Sequence, residues 1–121
     1  MSRLRRSFSN AIQGIGYTIS HEANMKIHLF AAAAAIILGI IADLTGLAWG
    51  LLIITIIMVL TAETINTAIE RAVDQISPKP HPLAKAAKDA AAGAVLLTAA
   101  NAVVIAFILF GPYLLNLWQN L

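Results

Sequence analysis

Glu63, Asn66, Glu70 and Asp74 follow one another at spacings of i, i+3, i+7 and i+11, just where a long apolar run ends. On an α-helix these four positions fall within about 80° of one another, on a single face. Three carboxylates sharing a face repel one another unless cations neutralise them. Ionisable groups at the end of a membrane helix are costly, so a stripe of this kind points to a functional site. The chemistry it suits is binding of Mg²⁺, a hard cation that takes a few carboxylates and completes its shell with phosphate oxygens and water. The plainer alternative is a helix end emerging into water with a solvated polar face.

The stripe has to be placed by elements that the composition already constrains. The chain has 121 residues, 60% of them hydrophobic and 12% charged, with a mean hydropathy of +0.81. A soluble domain carries about a quarter charged residues, so this is an integral membrane protein. Cysteine is absent, which excludes disulfides, thiolate metal sites and cysteine nucleophiles. The basic residues form no long run or continuous stripe, so there is no nucleic-acid footprint.

Residues 27–41 are almost wholly apolar, and with Met25 and Ala42 they are just long enough to cross a bilayer. Asp43-Leu-Thr-Gly46 supplies a turn, with Gly46 as the expected breaker. Residues 47–62 form a second apolar run, which continues as helix through the acidic stripe. Ser77-Pro-Lys-Pro-His-Pro82 then breaks the helix, because Pro78, Pro80 and Pro82 do not fit a helix interior. A third helix is expected from Ala84, apolar from residue 90 to 110, with Gly111-Pro112 ending its regular core. Residues 2–20 differ: Leu4, Phe8, Ile12, Ile15 and Ile19 recur at helical spacing among Arg3, Arg5, Arg6, Ser9 and Gln13. That pattern fits an amphipathic helix lying on the membrane surface, and it lacks the apolar stretch of a signal peptide. The expected fold is all-α: one domain over residues 1–121, with a surface helix at 2–20 and spans at about 25–42, 47–76 and 84–110.

Charge sets the orientation. Arg3, Arg5, Arg6 and Lys26 precede the first span, and Arg71, Lys79, Lys85 and Lys88 lie between the second and third. Every Lys and Arg is therefore on one side, which the positive-inside rule makes cytoplasmic. Trp49, Tyr113 and Trp118 fall at the other interface, where an aromatic belt is expected. The N-terminus is expected inside a bacterial inner membrane and the C-terminus outside it.

Glu22, Lys26, Glu63, Asn66, Glu70, Asp74, Lys85, Lys88 and Asp89 all belong to the charged ends of the spans. Carboxylates that hold a metal, beside lysines that offset developing charge, suit an ATP–Mg²⁺ site. Nothing resembles the G-x-x-x-x-G-K-[ST] loop, and there is no protein-kinase glycine-rich loop. Any kinase site here is built from helix side chains. Two other classes stay open on the residues alone: a membrane scaffold in which the stripe only joins helices, and a cation transporter, since intramembrane carboxylates also mark ion paths. Clustering at one interface, instead of across the span, argues against transport.

Three motifs carry a family resemblance: Glu22-Ala-Asn-Met-Lys-Ile-His28, Glu63-x-x-Asn66-x-Ala-Ile-Glu70-x-x-x-Asp74, and Ala87-Lys88-Asp89-x-x-Ala-Gly93-Ala-Val. In order and spacing the chain resembles the prokaryotic diacylglycerol kinases, small three-span membrane lipid kinases that form homotrimers. His28 and the His81-Pro82-Leu-Ala-Lys85 segment look more like the undecaprenol kinase branch; the best-known diacylglycerol kinases carry an acidic residue where this chain has His28. The resemblance implies ATP as donor, Mg²⁺ as its companion, and a membrane lipid alcohol as acceptor, undecaprenol or alternatively diacylglycerol. It implies Glu63 as general base for the lipid hydroxyl, and Glu22 and Glu70 as the carboxylates that hold metal with ATP. Asn66 and Asp74 become supporting positions around the nucleotide and phosphates, Lys88 a phosphate contact, Asp89 its nucleotide-side neighbour, and Arg3 a contact at the lipid–water boundary.

The remaining polar residues have plainer readings. Lys85 serves as an interfacial anchor. His21 and His28 share a face but lack a third convergent ligand. Lys26 and His28 lie near the site without an assigned catalytic role. Asn101, inside the third span, is expected to bond to another helix, and the alanine-rich stretches 31–35 and 86–92 with Gly93 to allow close helix packing.

Overall fold

The computed structural model describes residues 2–121. It is all-helical: α1 spans Arg3–His21, α2 Ala23–Ile41, α3 Gly46–Ile76 and α4 Pro82–Gln119. The last three are each long and apolar enough to cross a membrane. α3 is the central element, in contact with α1, α2 and α4, and α4 packs along most of it.

Each helix boundary has a local cause. Ser2 caps α1 by accepting a hydrogen bond from the Arg5 N–H at 3.3 Å. Glu22 separates α1 from α2: its backbone is extended, at φ −109° and ψ 117°, and its N–H still donates to the Thr18 carbonyl at 3.0 Å. At the end of α2 the Leu44 N–H reaches the Gly39 carbonyl and the Asp43 N–H the Ile40 carbonyl, both at 3.2 Å. This pair of bonds is a Schellman closure, and Asp43 takes its left-handed position at φ 54°. Gly46 is thus not the breaker expected from sequence. Aspartate tolerates the left-handed region, so Asp43 makes the turn, Thr45 caps α3 through the Ala48 N–H, and Gly46 is the first residue of α3.

The third span departs from its expected limits at both ends. It begins at Pro82 instead of Ala84, because proline at the first helical position loses no hydrogen bond and His81 Nδ1 accepts from the Leu83 N–H at 3.1 Å. It also runs through Gly111-Pro112 to Gln119. Continuing past proline forfeits one backbone bond, whereas stopping there would leave several carbonyls without partners in an apolar medium.

The packing is that of a membrane protein. Few apolar side chains are buried: Met25, Leu52, Val59, Ala91 and Phe110. As many buried ones are polar: Thr18, Thr55, Glu63, Asn66 and Thr67. Large apolar side chains such as Phe30, Ile40, Leu47, Leu97 and Phe107 face outward, as suits lipid. Leu4, Phe8 and Ile12 of α1 are likewise exposed, so the apolar face of that amphipathic helix is left for the membrane surface. Asn101 is exposed on α4, with no hydrogen bond to another helix of this chain among the described residues. The helical rotation that turns Ala102 and Ala106 toward the other spans turns Asn101 outward.

One close approach fixes the α2–α3 hairpin. A Cβ placed on Gly39 would lie 2.8 Å from Trp49 Cη2 and 3.1 Å from Leu44 Cδ1. Trp49 therefore packs onto the bare backbone of α2. Gly39→Leu should lower stability by about 1–3 kcal/mol, the usual cost of overpacking. Gly50→Ala, where a new Cβ meets nothing within 4 Å, should be neutral or gain up to about 1 kcal/mol from helix propensity. Thermal inactivation of the two variants in one detergent checks this: equal midpoints would rule out the Trp49–Gly39 contact as a constraint.

Candidate active site

Of the acidic stripe on α3, Glu63 and Asn66 are buried, Glu70 is half-buried and Asp74 is exposed. Glu63 is 1% exposed, the most enclosed charged side chain among the described residues. Both of its carboxylate oxygens lack a hydrogen-bond partner. An ionised carboxylate buried in this way is costly unless something compensates it. The side chain facing it is His28 on α2, whose Nε2 is 3.6 Å from Glu63 Oε2. That separation exceeds hydrogen-bond length. Below this pair toward the apolar ends of the helices runs a groove of about 300 Å³ between α2, α3 and α4. His28 forms part of its wall, with Ala31, Ala35, Val59, Ala99 and Phe110. The small, apolar alanine side chains leave room that a hydrocarbon chain can fill.

One turn further along α3, Asn66 Nδ2 donates to Glu70 Oε1 at 3.3 Å, while the Asn66 Oδ1 is buried without a partner. Glu22, held at the α1–α2 break, accepts from Arg71 NH2 at 2.5 Å. Arg71 also donates through Nε to the Tyr17 hydroxyl at 2.8 Å, and Tyr17 stacks on His21 at 4.1 Å between ring centroids. Arg71 thus ties α1 to α3 and neutralises Glu22. Sequence reasoning treated Arg71 only as a positive-inside charge. Its i+8 position after Glu63 placed it near the stripe's edge, but the partnership with Glu22 depends on how α1 crosses α3.

Asp74, Lys88 and Asp89 lie apart from Glu63. Lys88 donates to Asp74 across the α3–α4 junction, and Lys85 to Asp89 one turn along α4. Both pairs line an open cleft of about 650 Å³, together with Ser77, His81 and the proline-rich segment between the helices. The anchor Lys85 is therefore a member of the same charged cleft. Arg3 is brought to neither group. It begins α1, eighteen residues before His21, which is about 27 Å at the rise of an α-helix. His21 is stacked on Tyr17, with its Nδ1 2.9 Å from the Tyr17 carbonyl, and is not directed at His28.

The oxygen donors fit a hard cation brought in by a polyphosphate. No three His, Cys, Asp or Glu side chains converge among the described residues, so there is no all-protein cage. Mg²⁺ requires none, since it binds through one or two carboxylates and takes its other ligands from phosphate and water. Glu22 and Glu70 can supply those carboxylates, and the unpartnered Asn66 Oδ1 is a further neutral oxygen beside Glu70. The arrangement has a buried carboxylate beside the His28 wall of an apolar groove, a second carboxylate about two turns further along α3, and a lysine-bearing cleft beyond them. Such an order can hold a lipid alcohol and a nucleotide at opposite ends of one stripe.

Comparison with known proteins bears on the family of the chain. The model of prokaryotic diacylglycerol kinase matches residues 9–110. The chain is 42% identical over 114 residues to an undecaprenol kinase from Bacillus subtilis, covering 94% of this chain and 93% of that protein. It is 40% identical over 112 residues to a diacylglycerol kinase from Synechocystis, covering 92% of this chain and 64% of that one. A diacylglycerol kinase from Helicobacter pylori strain J99 is 35% identical over 118 residues, 98% of this chain and 89% of its own.

Proposed function

The chain belongs to the prokaryotic diacylglycerol kinase family, and we propose that the lipid alcohol it phosphorylates is undecaprenol, with Glu63 as general base. As a member of that family it is a multi-pass membrane lipid kinase, an ATP-dependent phosphotransferase. A scaffold or a transporter does not describe it. The observation that carries the proposal is the burial of an unpartnered Glu63 carboxylate 3.6 Å from His28, which walls an apolar groove.

A primary alcohol has a high pKa and needs a base within hydrogen-bond reach to become a nucleophile at neutral pH. An acceptor whose tail lies in the groove brings its hydroxyl to Glu63. The nucleotide approaches from the open cleft of Asp74, Lys85, Lys88 and Asp89. Mg²⁺, held by Glu22 and Glu70, would supply charge neutralisation at the phosphates. Glu63 takes the hydroxyl proton as the acceptor oxygen bonds to the γ-phosphorus, and the bond to the β-phosphate oxygen breaks to release ADP. Such a transfer depends on positioning and charge stabilisation more than on covalent chemistry by the protein. Glu63 and Glu70 are seven residues apart, roughly 10 Å along the helix axis, a separation suited to reading the lipid and the nucleotide with different groups.

The positive-inside rule places this charged end at the cytoplasmic face, where ATP is available. The exposed Asn101 in the midst of an apolar helix supports assembly of copies of the chain, since a polar side chain in lipid gains from a partner; a homotrimer is the assembly we propose.

Undecaprenol is favoured over diacylglycerol by the likeness to an undecaprenol kinase over nearly the full length of both proteins. Presented together in one mixed-micelle preparation, undecaprenol should show a kcat/KM at least about tenfold above diacylglycerol. That ratio needs only about 1.4 kcal/mol of differential transition-state binding. Preferential phosphorylation of diacylglycerol would overturn the choice of acceptor and leave the lipid kinase standing.

A further inference from the structure

The buried carboxylate of Glu63 leaves one question of chemistry open: what holds it in the orientation a base requires. The donors around it are committed elsewhere. The Thr67 hydroxyl donates to the Glu63 backbone carbonyl at 2.9 Å, the Asn66 amide to Glu70, and Arg71 to Glu22 and Tyr17. Lys26 reaches back to the Ser20 carbonyl at 3.5 Å. His28 remains. Its Nε2 stands 3.6 Å from Glu63 Oε2, and its side chain is only 20% exposed. It comes from α2, the helix opposite, and it also walls the groove at the end nearest Glu63.

We propose that His28 is the positioning residue of Glu63. A closure of about 0.7 Å brings the pair to ordinary N–H···O length, and catalytic hydrogen bonds are commonly long before substrate arrives. With Nε2–H donating to Oε2, one carboxylate oxygen is fixed and Oε1 is left to accept the proton of the acceptor hydroxyl. The imidazole does not touch the reacting atoms; it selects the rotamer of the group that does. Its position in the groove wall couples this selection to occupancy, because a chain filling the groove excludes water from the pair and strengthens the bond between them. The inference rests on the reading of Glu63 as general base.

Four full-length variants assayed in mixed micelles test it: His28→Leu, His28→Gln, Glu63→Gln, and His28→Leu combined with Glu63→Gln. His28→Leu should lower kcat by about 10- to 100-fold, the scale of a misplaced catalytic group, with the KM values for ATP and lipid within about threefold of the parent. His28→Gln keeps a side-chain N–H and should retain about a third or more of the parent kcat. In the Glu63→Gln background the His28→Leu change should cost nothing further, because there is no longer a base to orient. A parent-like kcat for His28→Leu overturns the proposal. So does an equal loss in both backgrounds, or a Gln variant as impaired as the Leu variant, since either would mark His28 as a packing residue. Near-normal turnover of Glu63→Gln alone would instead refute the base itself, a separate result from a silent His28.

Discussion

Glu63→Gln should reduce lipid phosphorylation by roughly two to four orders of magnitude, the range expected when a general base is lost. The substitution keeps the size of the side chain and replaces a carboxylate oxygen by an amide nitrogen. It removes the proposed proton acceptor and should leave the helix and groove intact. The surroundings of Glu63 make a purely structural role a poor alternative: its oxygens bond to nothing in the protein, so no framework of hydrogen bonds is lost with the charge. Replacing a buried unpaired carboxylate with a neutral amide should, if anything, stabilise the fold. Loss of turnover should therefore accompany an unchanged or higher thermal-inactivation midpoint. The KM for ATP should change by no more than a few fold, because the groups proposed to hold the nucleotide lie two to three turns further along α3, at Glu70 and Asp74, and across on α4, at Lys88. A variant with near-parental kcat would remove Glu63 from the chemistry.

The class of the protein and the order of its helices were legible because both depend on local pattern. Long apolar runs and a proline cluster read the same way in any membrane protein. The stripe was legible for the same reason: four positions on one helix face are a property of α3 alone. Contacts between helices were not. The Arg71–Glu22 pair joins residues 49 apart and follows from how α1 folds back at Glu22. His28 faces Glu63 because α2 and α3 are held close by Trp49 on Gly39, a contact made near the opposite end of the hairpin. Asp43 in place of Gly46 at the turn shows a related limit, since two residue types compete for a left-handed position and the hydrogen bonds decide. Pro112 was misread as an end because proline's local preference is weaker than the demand of an apolar medium for paired backbone groups. The separation of Glu63 from the Asp74–Lys88 cleft belongs to the same class. Sequence places these residues at one end of the bundle, and only the fold shows two chambers.

The same geometry ranks the two carboxylates expected to hold metal. Glu22 is already neutralised by Arg71 at 2.5 Å, whereas Glu70 is met only by the neutral amide of Asn66 at 3.3 Å. A cation approaching the pair of side chains feels the Glu70 charge almost undiminished and the Glu22 charge largely cancelled. Glu70→Gln should then raise the Mg²⁺ concentration for half-maximal activity by about tenfold or more, equivalent to about 1.4 kcal/mol. Glu22→Gln should raise it by less, and it also leaves the Arg71 charge unbalanced beside the site. Arg71→Gln supplies the opposite sign: it frees Glu22 for the cation and should lower the Mg²⁺ requirement, at the cost of the α1–α3 tie through Tyr17. Titration of Mg²⁺ at fixed ATP, with the three variants beside the parent, reads all of this from the midpoints. Identical midpoints for Glu70→Gln, Glu22→Gln and the parent would show that neither carboxylate holds the metal. Midpoints reversed in order would show that Arg71 leaves Glu22 when the nucleotide binds.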